Sequence, residues 1–118
     1  MSYKKLSTLV TNLLRSSNLG TVSWEETAKK NAYQAAFGTN VLQISSSGEI
    51  DYKIAIFDEN GVEIESFEDT DIAEYFDEDG PAYKVMGELY DVARRRALGS
   101  EQAIDEILAI LKDDEIPF

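Results

Sequence analysis

Residues 50–64 read IDYKIAIFDENGVEI, and this run decides the fold. Ile50, Tyr52, Ile54 and Ile56 alternate with Asp51, Lys53 and Ala55, the period of two that puts apolar side chains on one side of a strand. Asp58-Glu59-Asn60-Gly61 interrupts the alternation with a tight-turn signature, since Asn-Gly tolerates the positive φ that a reversal needs. Val62 and Ile64 then alternate with Glu63 and Glu65. The run predicts an antiparallel hairpin with Val62 and Ile64 on its apolar side.

Working outward, residues 31–48 read NAYQAAFGTNVLQISSSG. The alanines suit a helix, but Tyr33, Ala35 and Phe37 alternate, and Leu42 and Ile44 resume the alternation after Gly38-Thr39-Asn40. A second hairpin is the better reading, which gives three or four antiparallel strands over residues 31–67. Upstream, Leu6, Leu9, Val10, Leu13 and Leu14 stand at helical spacing, with Ser2 as a cap and Gly20 as a stop. Ser23-Trp24-Glu25-Glu26 matches a capping box and predicts a helical turn. Downstream, Pro81 opens a helix carrying Val85, Met86, Leu89, Tyr90, Ala93 and Ala97 on one stripe. Gly99 ends it, Ser100 caps a second helix, and Ile104, Ile107, Leu108 and Leu111 continue at helical spacing. The expected class is α+β: a three- to four-stranded antiparallel meander covered on one face by an N-terminal helix (1–20) and a C-terminal helical hairpin (71–112), with a tail at 113–118. At 118 residues the chain makes one domain with a core of its own.

Charge is distributed unevenly. The net charge is −12. Residues 1–48 carry +3, residues 49–83 carry −12 and residues 84–118 carry −3. The run FEDTDIAEYFDEDG at residues 67–80 holds seven carboxylates in fourteen residues and no cation. Such a field repels nucleic acid and anionic membrane and favours a protein partner with a basic surface. Glu63, Glu65, Glu68, Asp69, Asp71, Glu74, Asp77, Glu78 and Asp79 form the candidate interaction surface. Two uses compete with simple solvation. Alternate carboxylates on a strand stand about 6.6 Å apart, a spacing that could imitate phosphates in a basic groove. A calcium loop needs oxygen ligands at positions 1, 3 and 5, glycine at 6 and glutamate at 12. Starting at Asp77, Pro81 and Ala82 break that pattern, and starting at Asp58 or Asp69 fails as well, so no metal is expected. The solvated reading accounts for most positions: Ile72, Tyr75 and Phe76 at helical offsets face the core, and Asp69, Thr70 and Asp71 satisfy free N–H groups at the start of that turn.

Chemistry has few candidates. With no histidine and no cysteine, the commonest general base and the thiolate nucleophile are absent. Neither a nucleophile elbow nor a phosphate-binding loop occurs, and the serines at 45–47 have no base dictated beside them. The expectation is a protein that is not an enzyme and takes no cofactor. Arg94-Arg95-Arg96, the one basic cluster, sits near a helix C-terminus, where cations suit the dipole, and Asp91 and Arg95 are an i,i+4 pair. Trp24 reads as an anchor for the connection after the first helix. Tyr52, Tyr75, Tyr83 and Tyr90 are the aromatics suited to an interface, with Tyr52 and Tyr90 also on core faces. Apolar residues of the first helix serve either a homodimer or the core. Ile116 and Phe118 in the closing DDEIPF serve either a frayed tail or a docking peptide. MSYKK followed by LSTLVTNLL predicts neither a signal peptide nor a membrane anchor, and a cysteine-free chain is compatible with a reducing cytoplasm.

Trp24, then Tyr33-Gln34-Ala35, the turn Asp58-Glu59-Asn60-Gly61, and the helix Glu88-Leu89-Tyr90-Asp91-Val92-Ala93-Arg94-Arg95 with Ala97-Leu98-Gly99 form an order of features. Over residues 20–112 this order resembles small bacterial and phage-type single-domain proteins, some similar to accessory domains near defence or conflict systems. The resemblance implies an α+β fold and a non-catalytic adaptor role, and it carries over no site residues. The expected function is therefore an acidic protein–protein interaction domain; the alternative is an inhibitor that mimics nucleic acid.

Overall fold

The computed structural model describes residues 3–47, 51–76 and 81–113. Helix α1 (Tyr3–Asn18) is followed by five strands, β1 (Glu25–Glu26), β2 (Ala32–Phe37), β3 (Asn40–Ser46), β4 (Tyr52–Phe57) and β5 (Glu63–Glu68). Two 3-10 turns, Asp69–Asp71 and Ala73–Tyr75, lead to helices α2 (Ala82–Leu98) and α3 (Ser100–Asp113). The strands form one antiparallel sheet in sequence order, a plain meander.

The sheet has five strands where three or four are expected. The extra one is β1, at the Glu25-Glu26 that the capping-box pattern assigns to a helical turn. Glu25 pairs with Gln34 and Glu26 with Tyr33, so ladder hydrogen bonds outweigh a local cap signature. Residues 32–37 are strand, paired from Ala32↔Ser45 to Phe37↔Asn40. The alanines there do not impose a helix, because half of the positions face a core that rewards alternation.

The inner side of the sheet carries Tyr33, Ala35, Leu42, Ile44, Ile54 and Phe67, all buried. Helices α1 and α2 close over it. Leu6, Val10 and Leu13 of α1 and Val85, Met86, Leu89 and Ala93 of α2 are buried there. The first helix thus completes the core with Leu6, Val10 and Leu13. Its end is set by Gly20 at φ +80°, with Thr21 N–H donating to the Ser16 carbonyl (3.0 Å), a backbone that favours glycine. Trp24 anchors the connection as expected: its indole N–H donates to Ser17 Oγ at 2.9 Å, both side chains buried.

Strand β5 departs from the predicted register. Ile54 faces Phe67 and Ile56 faces Glu65, so the inner side takes Phe67 and Glu65. A register shift between Ile56 and Phe57 leaves Val62 and Ile64 more than half exposed. One large aromatic at the far end of the strand outweighs two smaller aliphatics beside the turn.

The C-terminal helices do not form a hairpin on the sheet. Helix α2 ends at Gly99, φ +68°, whose N–H donates to the Arg95 and Arg96 carbonyls. Helix α3 restarts at the next residue. A connection between antiparallel helices takes about two to five residues, and one residue does not turn the chain back. Ser100 Oγ donates to the Arg95 carbonyl at 3.3 Å, so this hydroxyl closes the old helix and does not cap the new one. Every described side chain from Gln102 to Lys112 is exposed, and α3 projects as an arm.

Candidate interaction surface

The acidic stretch after β4 is largely occupied with its own backbone. Asp58 Oδ1 accepts from Asn60 N–H (2.9 Å) and Val62 N–H (3.0 Å), fixing the tight turn. Glu65 is half-buried, and its Oε1 accepts from Ser66 N–H at 3.0 Å. Asp71 Oδ2 accepts from Glu68 N–H at 2.9 Å. Asp69 does not join the surface: it is 7% exposed, and its Oδ1 accepts from Tyr52 N–H at 3.2 Å, tying the start of β4 to the 3-10 turn. Ile72 and Phe76 are buried, as their spacing predicts, whereas Tyr75 is turned outward. Its hydroxyl meets Glu74, whose hydrogen bond first and charge second raise the phenol above its ordinary 10.0.

Of the nine candidate carboxylates, the described ones that remain exposed are Glu63, Glu68, Asp71 and Glu74. Glu68 stands opposite Lys53 in the β4–β5 ladder, an opposite-charge cross-strand pair. With Glu65 folded onto its neighbour and Asp69 inside, the regular row expected of a phosphate mimic is interrupted. Charge along β5 has a simpler effect, since it discourages another strand from adding to this edge. Asp77, Glu78 and Asp79 lie outside the described residues. Among the described residues, no three acidic side chains gather into a set that could hold a metal ion.

The three arginines separate in space. Arg96 Nη2 donates to the Asn18 carbonyl at 3.4 Å, placing a cation at the C-terminal end of α1. Arg95 lines a groove with Leu14, Asn18, Glu88 and Asp91. Arg94 lines an open cleft of about 460 Å³ with Lys29, Lys30 and Tyr33. No single basic patch results. Tyr33, Tyr52 and Tyr90 pack together, with Tyr90 5.6 Å from each of the other rings. Burial first, then Tyr33, raises the Tyr90 phenol above 10.0. Tyr52 and Tyr90 thus belong to the helix–sheet contact, while Tyr83 is half-exposed.

Among the described residues the largest uncovered apolar feature is α3. Ile104, Ile107, Leu108, Ile110 and Leu111 are 54–59% exposed. At 3.6 residues per turn, these five and Ala103 fall within a sector of about 160°. Gln102, Asp105, Glu106 and Lys112 occupy the remaining surface, and Gln102 Nε2 donates to Glu106 Oε1 across one turn at 3.4 Å. The sequence reading found four of these apolar positions but assigned them to packing on the sheet. Two signals pointed elsewhere: the one-residue joint at Gly99, and the breadth that Ile110 adds to the stripe. No helix among the described residues is long and apolar enough to cross a membrane. Comparison with family models, with curated proteins and with solved structures finds no match.

Proposed function

We propose that this protein is a non-catalytic interaction domain: a two-layer α+β body that presents α3 as a docking arm to a protein surface, in the cytoplasm. The observation that carries this reading is the apolar sector of α3, more than half exposed at five aliphatic side chains and covered by none of the described residues. Single exposed leucines are ordinary, but a contiguous apolar strip on a projecting helix is the form used for helix-in-groove and helix-on-helix recognition. Covering five half-exposed aliphatic side chains recovers on the order of 5 kcal/mol from this chain alone. The acidic body then contributes selectivity, favouring basic surroundings and rejecting nucleic acid.

The test is photo-crosslinking in the cells that produce the protein. A photoreactive residue at Ile107 is expected to give a protein adduct that survives washing in high salt, because apolar burial is not screened. The triple substitution I104Q/L108Q/L111Q is expected to remove it. An adduct forming instead at Glu63 or Glu68, and disappearing steeply with salt, would replace this reading with the acidic-decoy alternative.

A further inference from the structure

We infer that the cleft between the β1–β2 loop and the last turns of α2 binds a small phosphate monoester. The site lies apart from the α3 arm and holds whatever the arm docks on.

The first support is the state of the cations. Lys29 and Lys30 from the loop and Arg94 from α2 line one cleft of about 460 Å³. The chain has 23 acidic residues against 11 basic ones, so carboxylate partners are plentiful. Among the described residues, however, no ion pair engages Lys29, Lys30 or Arg94. Glu26 is the one carboxylate in the cleft lining, which leaves a net +2 there. Arg94 is half-buried and stands near the phenols: burial first raises the Tyr90 phenol, and the Arg94 guanidinium opposes that rise. A partly desolvated guanidinium without a carboxylate gains more from an anion than a solvated one does.

The second support is that the loop is held in place. Thr27 Oγ1 accepts from Lys29 N–H at 3.1 Å and stands 3.0 Å from the Lys29 and Ala32 carbonyls, to which it donates. Asn31 takes a φ of 62°, which asparagine tolerates, and its carbonyl accepts from Ser46 N–H at 3.1 Å. The loop is thus tied to itself and to β3, and little backbone ordering is left for binding to impose. A helix C-terminus is the unfavourable pole for an anion, with about half a negative charge. Here the Arg95 and Arg96 carbonyls already accept from Gly99 N–H, and the net +2 outweighs what remains.

Size and charge select the ligand. A phosphate monoester carries about −1.5 to −2 at neutral pH, which matches the lining, and Arg94 supplies the planar fork that phosphate takes. Tyr33 and Leu98 line the same cleft and offer apolar surface to the organic part. The volume falls within the range of small-molecule sites, about 300–1,000 Å³. A polyanion is disfavoured. Nucleic acid or an acidic protein would extend past the cleft and meet the acidic body, whereas a small dianion stays within about one Debye length, roughly 8 Å, of the cations.

The test is titration of the ¹⁵N-labelled full chain with phenyl phosphate at fixed ionic strength. Amide signals of residues 26–33 and 94–98 are expected to shift and to saturate. Arg94→Gln and the pair Lys29→Gln/Lys30→Gln are each expected to weaken binding about tenfold or more. Arg95→Gln, in a different groove, is expected to leave it unchanged. Benzenesulfonate, the same ring with a single charge, is expected to bind about tenfold more weakly or worse. Signals away from the cleft report whether each variant is folded, and the exposed lysine pair tests the site without disturbing α2. No saturable shift at millimolar phenyl phosphate, equal shifts at Arg15 and Lys53, or binding indifferent to the lysine pair would each overturn the inference. Tighter binding of a hexaglutamate peptide would overturn it too, and would make the cleft a site for acidic peptide.

Discussion

At the scale of single residues, the interior tests how polar groups are tolerated. Ser17 is wholly buried, and its hydroxyl is the acceptor for the Trp24 indole N–H. Among the described residues no buried side-chain polar atom is without a partner. Ser17→Ala leaves the indole donor unpaired in a dry site, and urea denaturation is expected to show a loss of about 1–3 kcal/mol. Tyr90 gives the pH response. Its folded pKa lies above the ordinary 10.0, chiefly through burial, so the fold binds this proton more tightly than the unfolded chain. The associated stability is complete below the unfolded value and is lost as pH rises through the folded one. Between about pH 9 and about pH 11, the wild-type urea midpoint is expected to fall more than that of Tyr90→Phe. Equal slopes would mean that the phenol is not held by the fold. The partnership of Ser17 with Trp24 was not legible in the sequence, because serine at a buried helix position reads as a lapse in the apolar stripe. The local roles of Asp69 and Asp71 were legible, since acids at the start of a turn satisfy N–H groups wherever that turn occurs.

At the scale of elements, the middle of the sheet was legible and its edges were not. Strands β3 and β4 alternate cleanly because both neighbours of each are strands and one side of each is dry. An edge strand answers to fewer constraints. The two residues of β1 are too short to show any period, and a cap signature there read as helix. At the entry to β5, Val62-Glu63-Ile64-Glu65 alternates convincingly, yet the side it would bury is the exposed one. Phe67, seated opposite Ile54, sets the register, and the shift beside Phe57 absorbs the mismatch. The consequence is measurable. Phe67→Ala is expected to cost about 3–5 kcal/mol, as for a buried aromatic. Ile64→Ser, at a position 57% exposed, is expected to change stability by no more than about 0.5 kcal/mol. If Ile64→Ser were the costlier of the two, the register of β5 would be the one its alternation suggested.

At the scale of the whole molecule, amphipathic periodicity says that a helix has an apolar side without saying which chain covers it. The stripes of α1, α2 and α3 look equivalent in the sequence, but the first two face the sheet and the third faces outward. Connection length separates them: six residues (19–24) lie between α1 and β1 and six (76–81) between the second 3-10 turn and α2, whereas a single Gly99 divides α2 from α3 and holds the arm off the body. Because the aliphatic strip of α3 covers no part of the body, its loss is not expected to alter the stability of the single chain. The melting midpoint of I104Q/L108Q/L111Q is expected to equal that of the wild-type chain at high dilution. A midpoint lowered in the variant at every concentration would instead show that the aliphatic strip supports the body from within the same chain. Equal midpoints follow from the geometry, because the substituted side chains are already exposed in the single chain.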